Sequence, residues 1–273
     1  MSLTFGPGPL STQPEGGVNY AIEGPAHRIL FQPHPRRLRA VVDGQTVLDT
    51  TRGALLHESN MLPVLYAPLE DFDTARLEPT GHTTHCPFKG DAFYWTLRVG
   101  DRVLENAVWG YPQALPEAAW LAPYAALFPD HVDTWLEEDE PLIGHLRDPY
   151  HRVDTRATSR RVEVLAAGEL LFASDRAVLV FETGLRARAY LPRQDVAEGT
   201  LAPSAKASVC PYKGEASYFS LSAGGRDFED SAWSYAEPLG EALGIAGHVS
   251  FEHEDLETRI SEPARVPGVP LPA

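Results

Sequence analysis

The chain holds little sulfur: two cysteines and two methionines in 273 residues. Two thiols cannot build the disulfide framework on which small secreted domains depend. Joining Cys86 to Cys210 would need their Cα atoms within about 7 Å, so a reducing cytoplasm is the simpler expectation. A cationic surplus is also missing. Against 38 Asp and Glu stand 23 Lys and Arg, a net charge of −15. Sequence-independent nucleic-acid binding works by neutralising phosphates, so no nucleic-acid partner is expected; the acidic surplus is read as a solubility device. No apolar run approaches the roughly 20 residues of a membrane span. The start has no basic segment followed by an apolar stretch, so no secretion signal is expected. There is no Cys-x-x-Cys pair, which removes a cysteine zinc site within one domain. The glycine-rich phosphate and dinucleotide loops, the Gly-x-Ser-x-Gly elbow and His-Glu-x-x-His are absent too. Neither a metal nor a cofactor is expected.

What is present is a duplication. Cys86-Pro87-Phe88-Lys89-Gly90-Asp91-Ala92 recurs as Cys210-Pro211-Tyr212-Lys213-Gly214-Glu215-Ala216, an offset of 124 residues. The same offset pairs His27-Arg28 with His151-Arg152, Arg36-Arg37 with Arg160-Arg161, Arg52 with Arg176 and Glu58 with Glu182. It also pairs Tyr66 with Tyr190, Asp71 with Asp195, Trp109 with Trp233 and Tyr111 with Tyr235. Two long copies read as tandem domains, since a solenoid would repeat at a shorter period. The expected division is a loose N-terminal tail at 1–25, a first repeat domain at 26–145, a second at 146–262 and a tail at 263–273. Domains of this size can bury a core without disulfides.

Within each copy the signals are those of strands. Leu38-Arg39-Ala40-Val41-Val42 and Thr46-Val47-Leu48 flank Asp43-Gly44, a hairpin signal. Val162-Glu163-Val164-Leu165 and Glu169-Leu170-Leu171-Phe172 repeat the pattern about Gly168. Tyr218, Ser220 and Ser222 alternate with Phe219 and Leu221 at period two. One short helix is expected over residues 116–127, opened by Pro116. Closing strands are expected over residues 131–136 and 248–253. Glu137-Glu138-Asp139-Glu140 reads as a solvated loop.

The matched residues supply the candidate chemistry. Cys86 and Cys210 precede proline. If Cys86-Pro87-Phe88-Lys89 is a β-turn, Lys89 ends near the thiol, where an ammonium favours thiolate; the alternative is a small apolar residue packed at a strand start. Lys89 and Lys213 could hold an anion, or simply lead through glycine into a strand. Glu58 and Glu182 end apolar strands, as ion-pair partners of Arg52/Arg176 or Lys89/Lys213, or as general bases. Trp109/Trp233 with Tyr66/Tyr190 and Tyr111/Tyr235 are either core or an aromatic pocket wall. Arg36-Arg37 reads as a phosphate clamp or an exposed strand edge. Asp71-Phe72-Asp73 has the spacing of a two-metal carboxylate pair, but its counterpart is Asp195-Val196-Ala197.

With those residues in view, the chain resembles a bacterial family known as domain of unknown function 427. The resemblance rests on Thr84-His85-Cys86-Pro87-Phe88-Lys89-Gly90-Asp91-Ala92 with Ala107-Val108-Trp109-Gly110-Tyr111-Pro112. In the second copy it rests on Phe181-Glu182-Thr183-Gly184-Leu185, Tyr190-Leu191-Pro192-Arg193, Cys210 to Tyr218 and Ala232-Trp233-Ser234-Tyr235. It implies a mainly β protein: two tandem copies of a compact antiparallel β domain, similar to the β-tent of methionine sulfoxide reductase B and the drug-binding domain of cereblon, with a short helix each. Those relatives carry zinc on cysteines that this chain lacks. The functional expectation is a cytoplasmic monomer or homodimer binding a small anionic ligand. Its pocket is assigned Tyr66, Lys89, Trp109, Arg52 and Glu58, with Tyr190, Lys213, Trp233, Arg176 and Glu182 in the other copy. The alternatives are an enzyme with a Cys86 or Cys210 thiolate or nucleotidyltransferase-like activity, and a structural or partner-binding module.

Overall fold

Tight turns with left-handed backbone punctuate the chain, mostly at glycine, asparagine and aspartate. Asp43 and Gly44 have φ of 49° and 68°, and Ala167 and Gly168 of 47° and 85°, the signature of the two-residue hairpin expected there. The computed structural model describes residues 17–262 apart from Ile22. Most of the expected N-terminal tail, and all of the expected C-terminal one, lie outside the described residues. The chain divides into two units after Asp148.

The first unit contains β1 (Ile29–Pro33), β2 (Leu38–Val42), β3 (Gln45–Thr50), β4 (Ala54–Glu58), β5 (Val64–Pro68), β6 (Leu77–Cys86), β7 (Gly90–Val99), β8 (Arg102–Gly110), β9 (Tyr124–Leu127), β10 (Thr134–Glu137) and β11 (Glu140–Pro141). One seven-stranded sheet runs β1-β4-β5-β9-β8-β7-β6, and a four-stranded sheet runs β11-β10-β2-β3. Every pairing is antiparallel. Ala40, Val42, Val47 and Leu48 of the small sheet pack with Leu97, Val99, Val108 and Leu127 of the large one in one apolar core. Burying such side chains is the main stabilising term. The large sheet's other face carries a second core of Leu56, Tyr66, Ala92, Tyr111, Ala118, Leu121 and Ala126.

The second unit repeats the plan with β12 (Val153–Ala157), β13 (Val162–Ala166), β14 (Glu169–Ser174), β15 (Val178–Glu182), β16 (Arg188–Pro192), β17 (Leu201–Cys210), β18 (Gly214–Ala223), β19 (Arg226–Tyr235), β20 (His248–Phe251) and β21 (Leu256–Ile260). Its sheets run β12-β15-β16-β20-β19-β18-β17 and β14-β13-β21. The likeness reaches to irregularities. Both long hairpins shift register, between Pro79 and Thr83 and between Pro203 and Ala207. Asn106 and Asp230 both take positive φ, and each side chain accepts a hydrogen bond from the facing hydroxyl of Thr80 or Ser204. A short polar side chain is what a left-handed bulge position favours.

Three expectations need correction. The helix expected over 116–127 is a 3-10 segment at Pro116–Leu121, and the chain then returns as β9. Tyr124-Ala125-Ala126-Leu127 has no β-branched residue, so propensity favours helix; pairing with β5 and β8 overrides it. The true counterpart of β20 is therefore β9, 124 residues earlier, and β21 matches β10. The acidic run is solvated as expected but is a hairpin and not a plain loop: Glu137 ends β10, Glu138 and Asp139 form an exposed turn and Glu140 opens β11, with Arg36 on Glu137 and Arg39 on Asp139. No helix among the described residues is long and apolar enough to cross a membrane.

The turn before β7 closes with Lys89 N–H donating to the Cys86 carbonyl at 3.3 Å, and Lys213 to Cys210 at the same distance. Gly90 and Gly214 follow at φ of 98° and 99°. A Cβ on Gly90 would lie 3.3 Å from the Leu115 backbone nitrogen. Gly90→Ala should therefore lower stability by about 1–3 kcal/mol, read as an earlier denaturation midpoint at unchanged slope. An unmoved midpoint would show that the turn has room to relax.

Candidate functional site

The second core of each unit gathers the matched polar residues. β4 delivers Glu58 at its end, β5 delivers Tyr66, the turn into β7 delivers Lys89, and β8 delivers Trp109 and leads into Tyr111. The short helix covers this face, burying Ala118 and Leu121 fully. Cys86, Tyr94 and Trp109 border the cluster half-buried. β15, β16, the turn into β18 and β19 place Glu182, Tyr190, Lys213 and Trp233 in the same way, with Tyr212, Tyr235 and Ile245 buried around them.

Lys89 donates to a Glu58 oxygen, and both are almost fully buried, at 7% and 4% exposure. The other Glu58 oxygen meets His27 Nε2 at 3.0 Å. Phe88 stacks on His27, with ring centroids 4.0 Å apart, and Lys89 Nζ lies 5.5 Å from the centre of the Tyr111 ring. In the second unit Lys213 donates to Glu182, His151 Nε2 stands 3.6 Å from the other oxygen, and Tyr212 packs on His151. Buried charges persist only when so paired. Burial alone would push the Glu182 carboxyl up, but His151 and Lys213 outweigh it and hold it at about 2. Burial likewise raises Tyr66, Tyr111, Tyr190 and Tyr235, so all four remain neutral phenols.

A second link runs outward from this network. Trp109 Nε1–H donates to Tyr66 Oη at 3.2 Å, and Trp233 to Tyr190 at 3.1 Å. Trp109 packs against Phe128 at a tilt of 33°, with centroids 4.2 Å apart, and forms a wall of a cavity of about 370 Å³. Leu62, Val64, Leu65, Phe128 and Trp135 complete most of the lining, with Leu142, Gly144, His145 and Leu146 along one side. The indole N–H of Trp135 is buried without a hydrogen-bond partner among the described residues. Phe128, Trp135 and residues 142–146 were not among the candidates, because sequence periodicity says nothing about which apolar side chains border empty space.

Arg52 and Arg176 are not part of this cluster. Arg52 binds Asp71 and Glu70, and Arg176 binds Asp195. Thr50 and Ser174 donate to the same aspartates at 2.6 and 2.7 Å. The pairing considered for Glu58 is thus made by Lys89 alone. Asp73 is bound by Arg76, and Arg37 is occupied by Asp49. No group of three or more His, Cys, Asp or Glu among the described residues is placed to hold a metal ion. Cys86 and Cys210 are free and half-buried. The ammonium that would favour a thiolate is matched by a carboxylate in both units.

The profile of the family described as a domain of unknown function (DUF427) matches residues 30–138 and again residues 154–262. The chain is a tandem member of that family. Both DUF427 matches start and stop at the offset found in the sequence; the first runs from β1 to β10 and the second from β12 to β21. No curated protein matches the chain.

In both DUF427 units the Lys–Glu pair is a structural clamp, and breaking one side of it should cost more than removing both. Lys89→Met should destabilise by about 3–5 kcal/mol, and Lys89→Met with Glu58→Gln should recover most of that loss in urea denaturation. Additive losses would show that the two groups do not act as a pair. The second unit carries its own pH signature. The folded Glu182 pKa of about 2 lies below the ordinary 4.5. Its contribution, on the order of 2 kcal/mol, is complete above pH 4.5 and lost as pH falls toward 2. Glu182→Gln should flatten the stability profile between those values, and an unchanged profile would place acid sensitivity elsewhere.

Proposed function

We propose that the first unit binds a small, flat, mainly apolar molecule. The observation that carries this reading is the cavity walled by Trp109. Its volume of about 370 Å³ falls among small-ligand sites, which are apolar with a few placed polar groups. Trp109 and Trp135 give the cavity two broad aromatic faces, and stacking or edge contact on such faces suits a flat molecule. Leu62 and Phe128 stand exposed at the rim. The Tyr66–Trp109 hydrogen bond fixes the ring that forms the wall, and the ion pair behind it holds Tyr66's surroundings in place.

The buried network argues against the anionic ligand suggested by the lysines. Glu58 cancels the Lys89 charge, and Arg52 is occupied elsewhere, so the first unit presents no free cation among its matched candidates. A set of aromatic fragments screened by ligand-detected NMR tests the proposal. Hits should lose at least tenfold in affinity on Trp109→Ala, and also on Leu62→Asp, which changes only the rim. Equal binding to wild type and both variants would contradict it.

A further inference from the structure

Among the described residues the two units keep the same clamp but not the same cavity; the counterparts of residues 142–146, at 266–270, lie outside them. By the common offset, Leu62, Val64, Phe128 and Pro129 become Arg186, Arg188, Glu252 and His253. A hollow of about 450 Å³ lies at the matching place, lined by Arg186, Arg188, Ser250, Glu252, His253 and neighbouring residues, but not by Trp233. Arg188 accounts for much of the difference, beside Arg259 in the place of Trp135. The Arg188 guanidinium carbon lies 4.8 Å from the centre of the Trp233 ring, a cation–π contact. Glu252 holds it there, with one oxygen 3.0 Å from Arg188 Nη2 and the other 2.7 Å from Arg186 Nη2.

We infer that Arg188, clamped by Glu252, covers the second unit's copy of the aromatic wall, so that of the two units the first is the one that takes up apolar ligands. The inference rests on the reading of the first unit given above. Val64 leaves the Trp109 wall open to a ligand, whereas Arg188 covers the equivalent wall with a charged group that an apolar ligand would have to displace and leave unpaired. Displacing it forfeits the cation–π contact with Trp233 together with a partly exposed ion pair, and this makes the Val64/Arg188 position one determinant of which unit binds.

The test is fluorescence titration of the full chain with N-phenyl-1-naphthylamine, a neutral apolar probe whose emission rises in dry cavities. Wild type should take up one equivalent, Trp109→Ala none, and Trp233→Ala one. Arg188→Val with Glu252→Phe should take up two, and adding Trp233→Ala to that variant should restore one. Two equivalents for wild type, one of them surviving Trp109→Ala, would overturn the inference while leaving the first site standing. So would a folded Arg188→Val/Glu252→Phe chain that still binds one. If that variant does not fold, the wild-type count and its indifference to Trp233→Ala decide the question. No uptake by wild type would sink the reading of the first unit, and this inference with it.

Discussion

A lysine and a glutamate buried together on one face of a β-sheet set the terms for everything around them. Neither charge can be left alone in that environment, so each must be delivered accurately by a different strand. The Cys-Pro turn aims Lys89 or Lys213, and the end of β4 or β15 aims Glu58 or Glu182. A histidine satisfies the remaining carboxylate oxygen, through close contact in the first unit and at a longer distance in the second. Tyrosines pack around the pair and stay neutral there. One of them accepts the tryptophan N–H and so fixes the orientation of the ring nearest the surface. The glycine after the lysine completes the arrangement, because the chain must turn with positive φ against the backbone that follows β8.

The duplication separates what this face needs in order to fold from what it offers to a ligand. The clamp, the Tyr–Trp bond and the aspartate-bound arginines recur in both units with the same partners. The rim does not. In the first unit it is apolar and opens onto Trp109; in the second, an arginine held by a glutamate lies over the ring. Side chains at the rim tolerate change because they are solvated and pack loosely, so divergence after duplication concentrates there while the buried network is held by its own cost of disruption.

Much of this was legible in the residues. The constant offset announced two similar units, and the Asp43-Gly44 and Gly168 hairpins and the Cys-Pro turn formed as their sequences suggested. Other features depended on pairing across the sheet. Tyr124-Ala125-Ala126-Leu127 reads as the end of a helix, yet it is needed as the strand between β5 and β8. Arg52 and Lys89 were equal candidates to meet Glu58, and only the register of β4 shows which one reaches it. The cavity itself was beyond the residues, since it depends on Trp109, Phe128 and Trp135 meeting from three separate strands and loops.

The central claim is that an aromatic wall, fixed from behind by the buried clamp, receives a ligand in the first unit alone. The five tryptophans give that claim a direct readout through their indole N–H resonances, recorded by two-dimensional nitrogen–proton NMR during titration of N-phenyl-1-naphthylamine. The account requires the Trp109 and Trp135 signals to move together and saturate while Trp233 holds its position. Saturating movement of Trp233, or a ligand response that bypasses both Trp109 and Trp135, would contradict it.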